Sequence, residues 1–294
     1  MSQLIQMRQR INAIETIRKI THAMQLISMS THLRLRDKKN RLEEYQKTVK
    51  KILSSVKNTV PDWYNPLFFP DQTQENLLVI LVGSQKGLCG VFNTNIMYDF
   101  EKSIHEKRFK QGSLITVGKK IREYLTTRLK PATLPLNHIA SYDELSWNNL
   151  PTLVPKLIDT IIKAEQPYSQ VLVYSNYPSG FFAQRLQTTT LIPFSFESLG
   201  GEELATKNDF VWEDEPHHIL DALAHHQLNA TVYTLLVQSL LAEQAARFTS
   251  MDNATRNAKY LKENMMLQYN KLRQAKITKE LTELSSGFQT NFGA

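Results

Sequence analysis

Gly83-Ser-Gln-Lys-Gly-Leu-Cys-Gly90 packs three glycines, a lysine, a serine and the only cysteine of the chain into eight residues, directly after the apolar run Leu77–Val82. A glycine-rich turn between a strand and a helix can cradle phosphate on the first amides of the helix. This spacing fits neither nucleotide pattern. The phosphate loop needs four residues between its glycines and then Lys-Ser/Thr, and the dinucleotide loop needs Gly-x-Gly-x-x-Gly. A tight structural turn is the expected role. Cys89 is a conceivable nucleophile, but no histidine is near it in sequence, and a lone cysteine beside a strand behaves as a small apolar residue. His217, His218, His225 and His226 have the seven- or eight-residue spacing that lets them share a helix face. A metal site needs further ligands and a supporting second shell, so polar helix surface is the expectation. Arg34–Arg41 (RLRDKKNR) is strongly basic with no aromatic residue interleaved, which gives no support to base stacking. It reads as a solvated helix face or as a dock for a partner's carboxylates. No Ser/His/Asp set and no working carboxylate pair is found. The sequence therefore predicts no catalytic residue, no cofactor site and no metal site.

The elements that would carry these groups follow from the breakers. All 11 prolines lie between Pro61 and Pro216, and every glycine except Gly287 and Gly293 lies between them too. The two ends are left uninterrupted. In the first, Leu4, Met7, Ile11, Ile14, Ile17, Ile20, Met24 and Ile27 recur in threes and fours, one stripe of a helix. The stripe weakens over 28–31 and resumes at Leu42, Tyr45, Val49, Ile52 and Val56. Val60 precedes Pro61, which disfavours further helix. The last segment opens on Glu213, Asp214, Glu215 and Pro216, a helix-start signal. Its stripe includes Leu241, Ala245, Phe248, Met251, Ala254, Ala258, Leu261, Met265, Tyr269, Leu272 and Ala275, and Gly287 is the expected stop. Neither helix is stable alone, and laying one against the other buries both stripes.

Between them, 77–82, 114–117, 171–174 and 188–194 read as strands, the last at an edge because Pro193 cannot donate to a ladder. Residues 95–110, 119–129 and 153–164 read as helices, and 62–75 and 199–208 as loops. The predicted fold is α/β: a long antiparallel coiled coil of the terminal helices plus a central Rossmann-like, mostly parallel three-layer domain. The predicted divisions are 1–60, 61–212 and 213–294, the last packing with the first.

Charge separates along the same lines. Residues 1–60 hold 13 Lys and Arg against 4 Asp and Glu, a net of +9, whereas 61–216 carry −4 and 217–294 carry +2. A basic helix calls for an acidic partner. No apolar run approaches the roughly 20 residues that span a bilayer, and the polar N-terminal stretch with Glu15 offers no signal core. One cysteine allows no intrachain disulfide and is compatible with a reducing compartment.

Arg8-Gln-Arg10-Ile11, Lys19-Ile-Thr-His-Ala-Met24, Gly87-Leu-Cys-Gly-Val-Phe-Asn-Thr-Asn95, Met251-Asp-Asn-Ala-Thr-Arg-Asn-Ala258 and Tyr269-Asn-Lys-Leu-Arg-Gln-Ala275 leading into Ile277-Thr-Lys-Glu-Leu-Thr-Glu283 resemble the gamma subunits of F-type ATP synthases. The blocks span the chain in the family's order. The resemblance implies a non-catalytic central-stalk rotor that turns inside an alpha/beta ring and couples proton translocation to ATP synthesis and hydrolysis. It implies alpha, beta and epsilon subunits and the membrane c-ring as partners, no nucleic acid, no cofactor, and a peripheral place on the cytoplasmic face of the bacterial inner membrane. By position in the family's motifs, Met24, Arg273, Gln274 and Thr278 are expected to meet the beta loops. Departures from the family pattern fall at His22, Met29, Gln85, Lys86, Val91 and Phe288. They leave open an alternate, sodium-coupled or hydrolysis-biased rotor. A basic coiled-coil nucleic-acid adaptor is the competing class, and binding that weakens steeply with salt would mark it.

Overall fold

The computed structural model describes residues 2–57, 60, 62–71, 76–106, 108–109, 111–129, 134–180, 183–194 and 214–291, without the side chains of 2, 57 and 284–291. Two compact units are present, one of residues 28–247 and one of residues 1–27 with 248–294. The terminal helices α1 (Ser2–Lys57) and α5 (Pro216–Asn291) contribute to both.

The larger unit is built on a five-stranded sheet. Its elements are β1 (Leu77–Val82), α2 (Phe92–His105), β2 (Gly112–Val117), α3 (Lys119–Arg128), β3 (Leu136–Tyr142), α4 (Leu150–Ile162), β4 (Gln170–Pro178) and β5 (Gln184–Ile192). The strand order is β3-β2-β1-β4-β5. Ladders β1–β2, β1–β4 and β2–β3 are parallel, and only β4–β5 is antiparallel. All six residues of β1 are buried because helices cover both faces, which is why its sequence is unbroken apolar rather than alternating. One face packs Leu78, Ile80, Val82, Val171 and Val173 against α4, the end of α1 and the first turns of α5. The other packs Leu77, Val79, Leu81, Leu114 and Tyr174 against α2, α3 and Ala242 and Ala246 of α5.

Several sequence expectations are corrected here. Strand β3 was not anticipated: at the sheet edge only Leu136 is buried, and the polar Asn137, His138 and Ser141 hide the strand signal. The strand expected at 188–194 begins earlier, at Gln184, with polar residues facing out, and ends at Ile192 before Pro193; it is an edge strand, as that proline suggests. The helix expected over 95–110 is Phe92–His105, and that over 153–164 starts at Leu150, with Pro151 in its first turn. Helix α5 runs through Gly287 to Asn291 instead of stopping there. A glycine costs a helix only about 1 kcal/mol against alanine. The loop expected at 199–208 and the start signal at Glu213 lie outside the described residues.

The helix pair is antiparallel. In the larger unit Gln46 Nε2 donates to Thr231 Oγ1 at 2.9 Å, and Gln238 Nε2 donates to Glu43 Oε1 at 2.9 Å. In the smaller unit the links are Gln25 to Asp252 (3.0 Å), Thr255 to Thr21 (2.8 Å) and Lys262 to Glu15 (3.0 Å). As the number on α1 falls, its partner's number on α5 rises.

Candidate functional site

The side of each terminal helix that faces its partner keeps much of the stripe read in the sequence, but Ile17, Ile20 and Ile27 of α1 and Leu261 and Ala275 of α5 fall outside it. On α1 within the smaller unit the facing positions are Met7, Ile11, Ile14, Arg18, Thr21 and Gln25, alternating steps of four and three, the heptad of a coiled-coil seam. On α5 they are Met251, Thr255, Ala258, Lys262, Met265, Tyr269 and Leu272. Polar groups occupy much of this seam and answer one another across it. Only Ile11, Met251 and Ala258 are buried apolar residues among those described in this unit.

The apolar side chains displaced from the seam point outward. Ile17, Ile20 and Ile27 of α1 are 53%, 54% and 65% exposed. On α5, Tyr260, Leu267, Gln274 and Leu281 follow at seven-residue intervals and all are exposed, Tyr260 and Leu267 to 67% and 62%. The seven-residue spacing of Tyr260, Leu267 and Leu281 is the sequence signal for this second stripe, which the reading of the sequence did not pick out. A soluble monomer rarely leaves contiguous apolar surface uncovered, and such surface marks an interaction site.

The four residues expected to make contacts divide into two places. Arg273, Gln274 and Thr278 lie together on α5 and are exposed, with Thr278 Oγ1 donating to Gln274 O at 3.0 Å. Gln274, Ile277, Thr278 and Leu281 have the spacing of one helix face, so polar and apolar groups are offered side by side. Met24 is half-buried on α1 beside Gln25, which bonds Asp252. Along α5, Asp252 and Arg273 are separated by about 30 Å of helix. A partner touching both must be extended or must touch at two levels.

Charge favours an acidic partner. Residues 1–27 and 248–294 together hold eleven Lys and Arg against five Asp and Glu, a net of +6. Glu15 is the best-paired of the acids: Arg18 (2.8 Å) and then Lys262 (3.0 Å) hold its carboxyl down to about 2. Arg18, Lys259 and Lys262 also rim an open groove of about 460 Å3 floored by Met266 and Leu267.

The glycine-rich turn is a folded piece of the larger unit. Ser84 N donates to Asn93 Oδ1 at 2.9 Å, and Asn93 Nδ2 donates to Ser84 Oγ at 2.8 Å. Arg247 of α5 reaches the carbonyls of Gly87 (3.3 Å) and Lys86 (3.2 Å). The turn thus spends an amide on Asn93 and directs carbonyls at an arginine, the opposite polarity to a phosphate cradle. Cys89 is buried, and burial raises its thiol above the ordinary range, so it stays protonated. His217 and His218 are each 3.8 Å from a single acid, Asp62 and Asp214, and among the described residues no three metal-binding side chains gather. Of the basic stretch, Lys38 lies 3.7 Å over the Trp147 ring and Lys39 pairs with Glu43 at 2.9 Å, leaving Arg34, Arg36 and Arg41 at the exposed surface. His32, which the sequence reading passed over, is buried, with Nδ1 3.3 Å from Leu241 O; burial holds its ring below the ordinary value. No helix among the described residues is long and apolar enough to cross a membrane.

Comparison with known proteins matches residues 3–290 to the family model described as ATP synthase. A relative named ATP synthase gamma chain from Chlorobaculum tepidum is 32% identical over 292 residues, covering 98% of each chain. One of the same name from Chlorobium phaeobacteroides is 30% identical with the same coverage. Among solved structures, a chain of the Tetrahymena thermophila mitochondrial ATP synthase central stalk and c-ring aligns with TM-score 0.60 at 20% identity, covering 80% of this chain and 99% of that one. A chain of the Euglena gracilis mitochondrial ATP synthase aligns with TM-score 0.61 at 16% identity, covering 98% and 94%.

Proposed function

The chain belongs to the family of ATP synthase gamma chains, and from that premise we infer that it is the central-stalk rotor subunit of an F-type ATP synthase, coupling proton translocation to ATP synthesis and hydrolysis. The observation that carries this reading is the likeness to gamma chains from end to end, through both terminal helices as well as the sheet. The geometry supports it. A coil whose apolar residues face out and whose charge is positive suits an enclosing sleeve that is apolar in places and acidic in others.

The sleeve in this proposal is the ring of alternating alpha and beta subunits. Met24, Arg273, Gln274 and Thr278 are the residues proposed to meet the beta subunits. Arg273 supplies a charge-assisted, two-pronged donor, and Gln274 and Thr278 supply neutral ones. Free energy passes only if each orientation of the chain favours a different conformation at each beta site. Residues 1–60 and 213–294 form the shaft in this scheme, and residues 61–212 sit towards the epsilon subunit and the c-ring. The complex is membrane-associated, with this chain peripheral on its soluble side; the cytoplasmic face of a bacterial inner membrane is the proposed location. An alternate sodium-coupled or hydrolysis-biased rotor is not favoured by relatives that are ATP synthase gamma chains over their whole length.

Reconstitution tests the reading. The chain is mixed with the alpha and beta subunits of its own organism, and ATP hydrolysis of the assembled particle is followed with and without it. One copy per ring and turnover that depends on it is the expected result. A chain that neither joins the ring nor alters turnover would overturn the assignment.

A further inference from the structure

Among the described residues, helix α5 carries one ion pair that is almost wholly withdrawn from solvent. Glu243 and Arg247, one turn apart, are bonded side chain to side chain and are 3% and 7% exposed. Burying two charges is costly, and an isolated pair of this kind adds little stability over apolar residues of the same size. Its other contacts give it a purpose. The guanidinium also reaches the loop: Nη2, which bonds Glu243, donates to Lys86 O at 3.2 Å as well, and Nε donates to Gly87 O at 3.3 Å.

The turn needs holding. Leu88 has φ 64°, the left-handed region that a leucine rarely adopts, and Gly90 follows at φ 58°. This backbone path directs the carbonyls of Lys86 and Gly87 inward and the side chain of Leu88 outward, where it is 58% exposed. Val91, also 58% exposed, lies beside it at the start of α2. On its other side the turn is pinned by Asn93, which bonds Ser84 twice and approaches Cys89 Sγ at 3.4 Å. Asn93 ties the turn to α2, and Arg247 ties it to α5.

We propose that Arg247 is a positioning residue that clamps the 84–90 turn to helix α5, so that the turn moves with α5 and presents Leu88 and Val91 in one orientation. Glu243 sets the guanidinium in place. The mechanical part of this proposal rests on the rotor reading above, whereas the clamp itself does not.

Cys89, the only cysteine of the chain, lies within the turn and is buried, and so reports its opening. In Arg247→Gln, alkylation of Cys89 in the full chain by iodoacetamide at fixed pH is expected to run about tenfold faster, because two bonds that close the turn are gone. Circular dichroism should be unchanged. Arg247→Lys, which restores the charge beside Glu243 but not the fork, should fall between. Glu243→Gln, which keeps the arginine and both carbonyl bonds, should stay within about twofold. If Arg247→Gln does not fold, the double variant Glu243→Gln/Arg247→Met removes both charges together and takes its place with the same expectation. An unchanged rate in the folded Arg247 variant, or an equal rise in Glu243→Gln, overturns the clamp. In the membrane complex, Arg247→Gln is expected to lower protons pumped per ATP hydrolysed about fivefold. An unchanged ratio beside faster alkylation overturns the mechanical part alone. Failure of the wild-type chain to join the ring would instead count against the rotor reading.

Discussion

Lys262 of α5 donates to Glu15 of α1 at 3.0 Å, across the helix pair, while Arg18 grips the same carboxylate from one turn away at 2.8 Å. This is a polar seam position doing what an apolar pair does elsewhere in a coiled coil: it fixes which residue of one helix stands opposite which of the other.

Acid should release that register. The Glu15 carboxyl is held at about 2, below its ordinary 4.5, so its contribution is complete above about 4.5 and is lost as pH falls towards 2. The measurement is thermal unfolding of the wild type and of Glu15→Gln at a series of pH values. The gap between them is expected at pH 6 and should close between 4.5 and 2. A gap that is constant across the series would mean that the ionised carboxylate contributes nothing.

The outward and inward faces of α1 should respond oppositely to truncation. Leu53 is 0% exposed, and Leu53→Ala is expected to cost about 2–5 kcal/mol in urea unfolding. Ile27→Ser, at 65% exposure, should shift the isolated chain by no more than about 0.5 kcal/mol. Binding of the Ile27 variant to the alpha/beta ring should nevertheless weaken. A strong effect of Ile27→Ser on the isolated chain would refute the outward assignment.

Gly118 has φ 97°, and a Cβ there would lie 2.4 Å from Gly83 O. Both the dihedral and the space exclude alanine without movement of the backbone. Gly118→Ala should therefore lose about 1–3 kcal/mol, read as a lower urea midpoint at unchanged slope. A wild-type midpoint would contradict this packing of the β2–α3 junction.

Arg273→Ala should separate stability from coupling. The side chain is exposed, so the melting curve of the isolated chain should be unaltered within about 0.5 kcal/mol. In the assembled complex, ATP-driven proton transport per ATP hydrolysed should fall. Equal pumping by wild type and variant would remove Arg273 from the proposed contacts with beta.

Much of this architecture was legible in the sequence. Breaker-free ends announce long helices, and the run Leu77–Val82 announces a strand covered on both faces. The seam was legible only in part: Met7, Ile11 and Ile14 and, on α5, Met251, Ala258, Met265, Tyr269 and Leu272 were read correctly, but its polar positions were not. A count of apolar residues at threes and fours selects Ile17, Ile20 and Ile27, yet the facing positions are held by Arg18, Thr21 and Gln25. Period identifies a helix but does not say which of two apolar faces meets the partner within the chain and which is kept for something outside it. The same limit hid β3, where an edge position needs only Leu136 buried. The candidate contacts came from the resemblance and not from a local pattern: Arg273, Gln274 and Thr278 lie together on exposed α5, whereas the distance to Met24 depends on the antiparallel register, which no local pattern encodes.

The antiparallel order of pairing also bears on how the chain is made. Glu15 leaves the ribosome 247 residues ahead of its partner Lys262. At about 5–20 residues per second, that is on the order of 10–50 s of synthesis. Throughout that interval the basic first helix has no mate, while the sheet, whose strands lie close together in sequence, can already form. The helix pair thus closes after the sheet can form, and the nascent α1 is where chaperone protection is most needed.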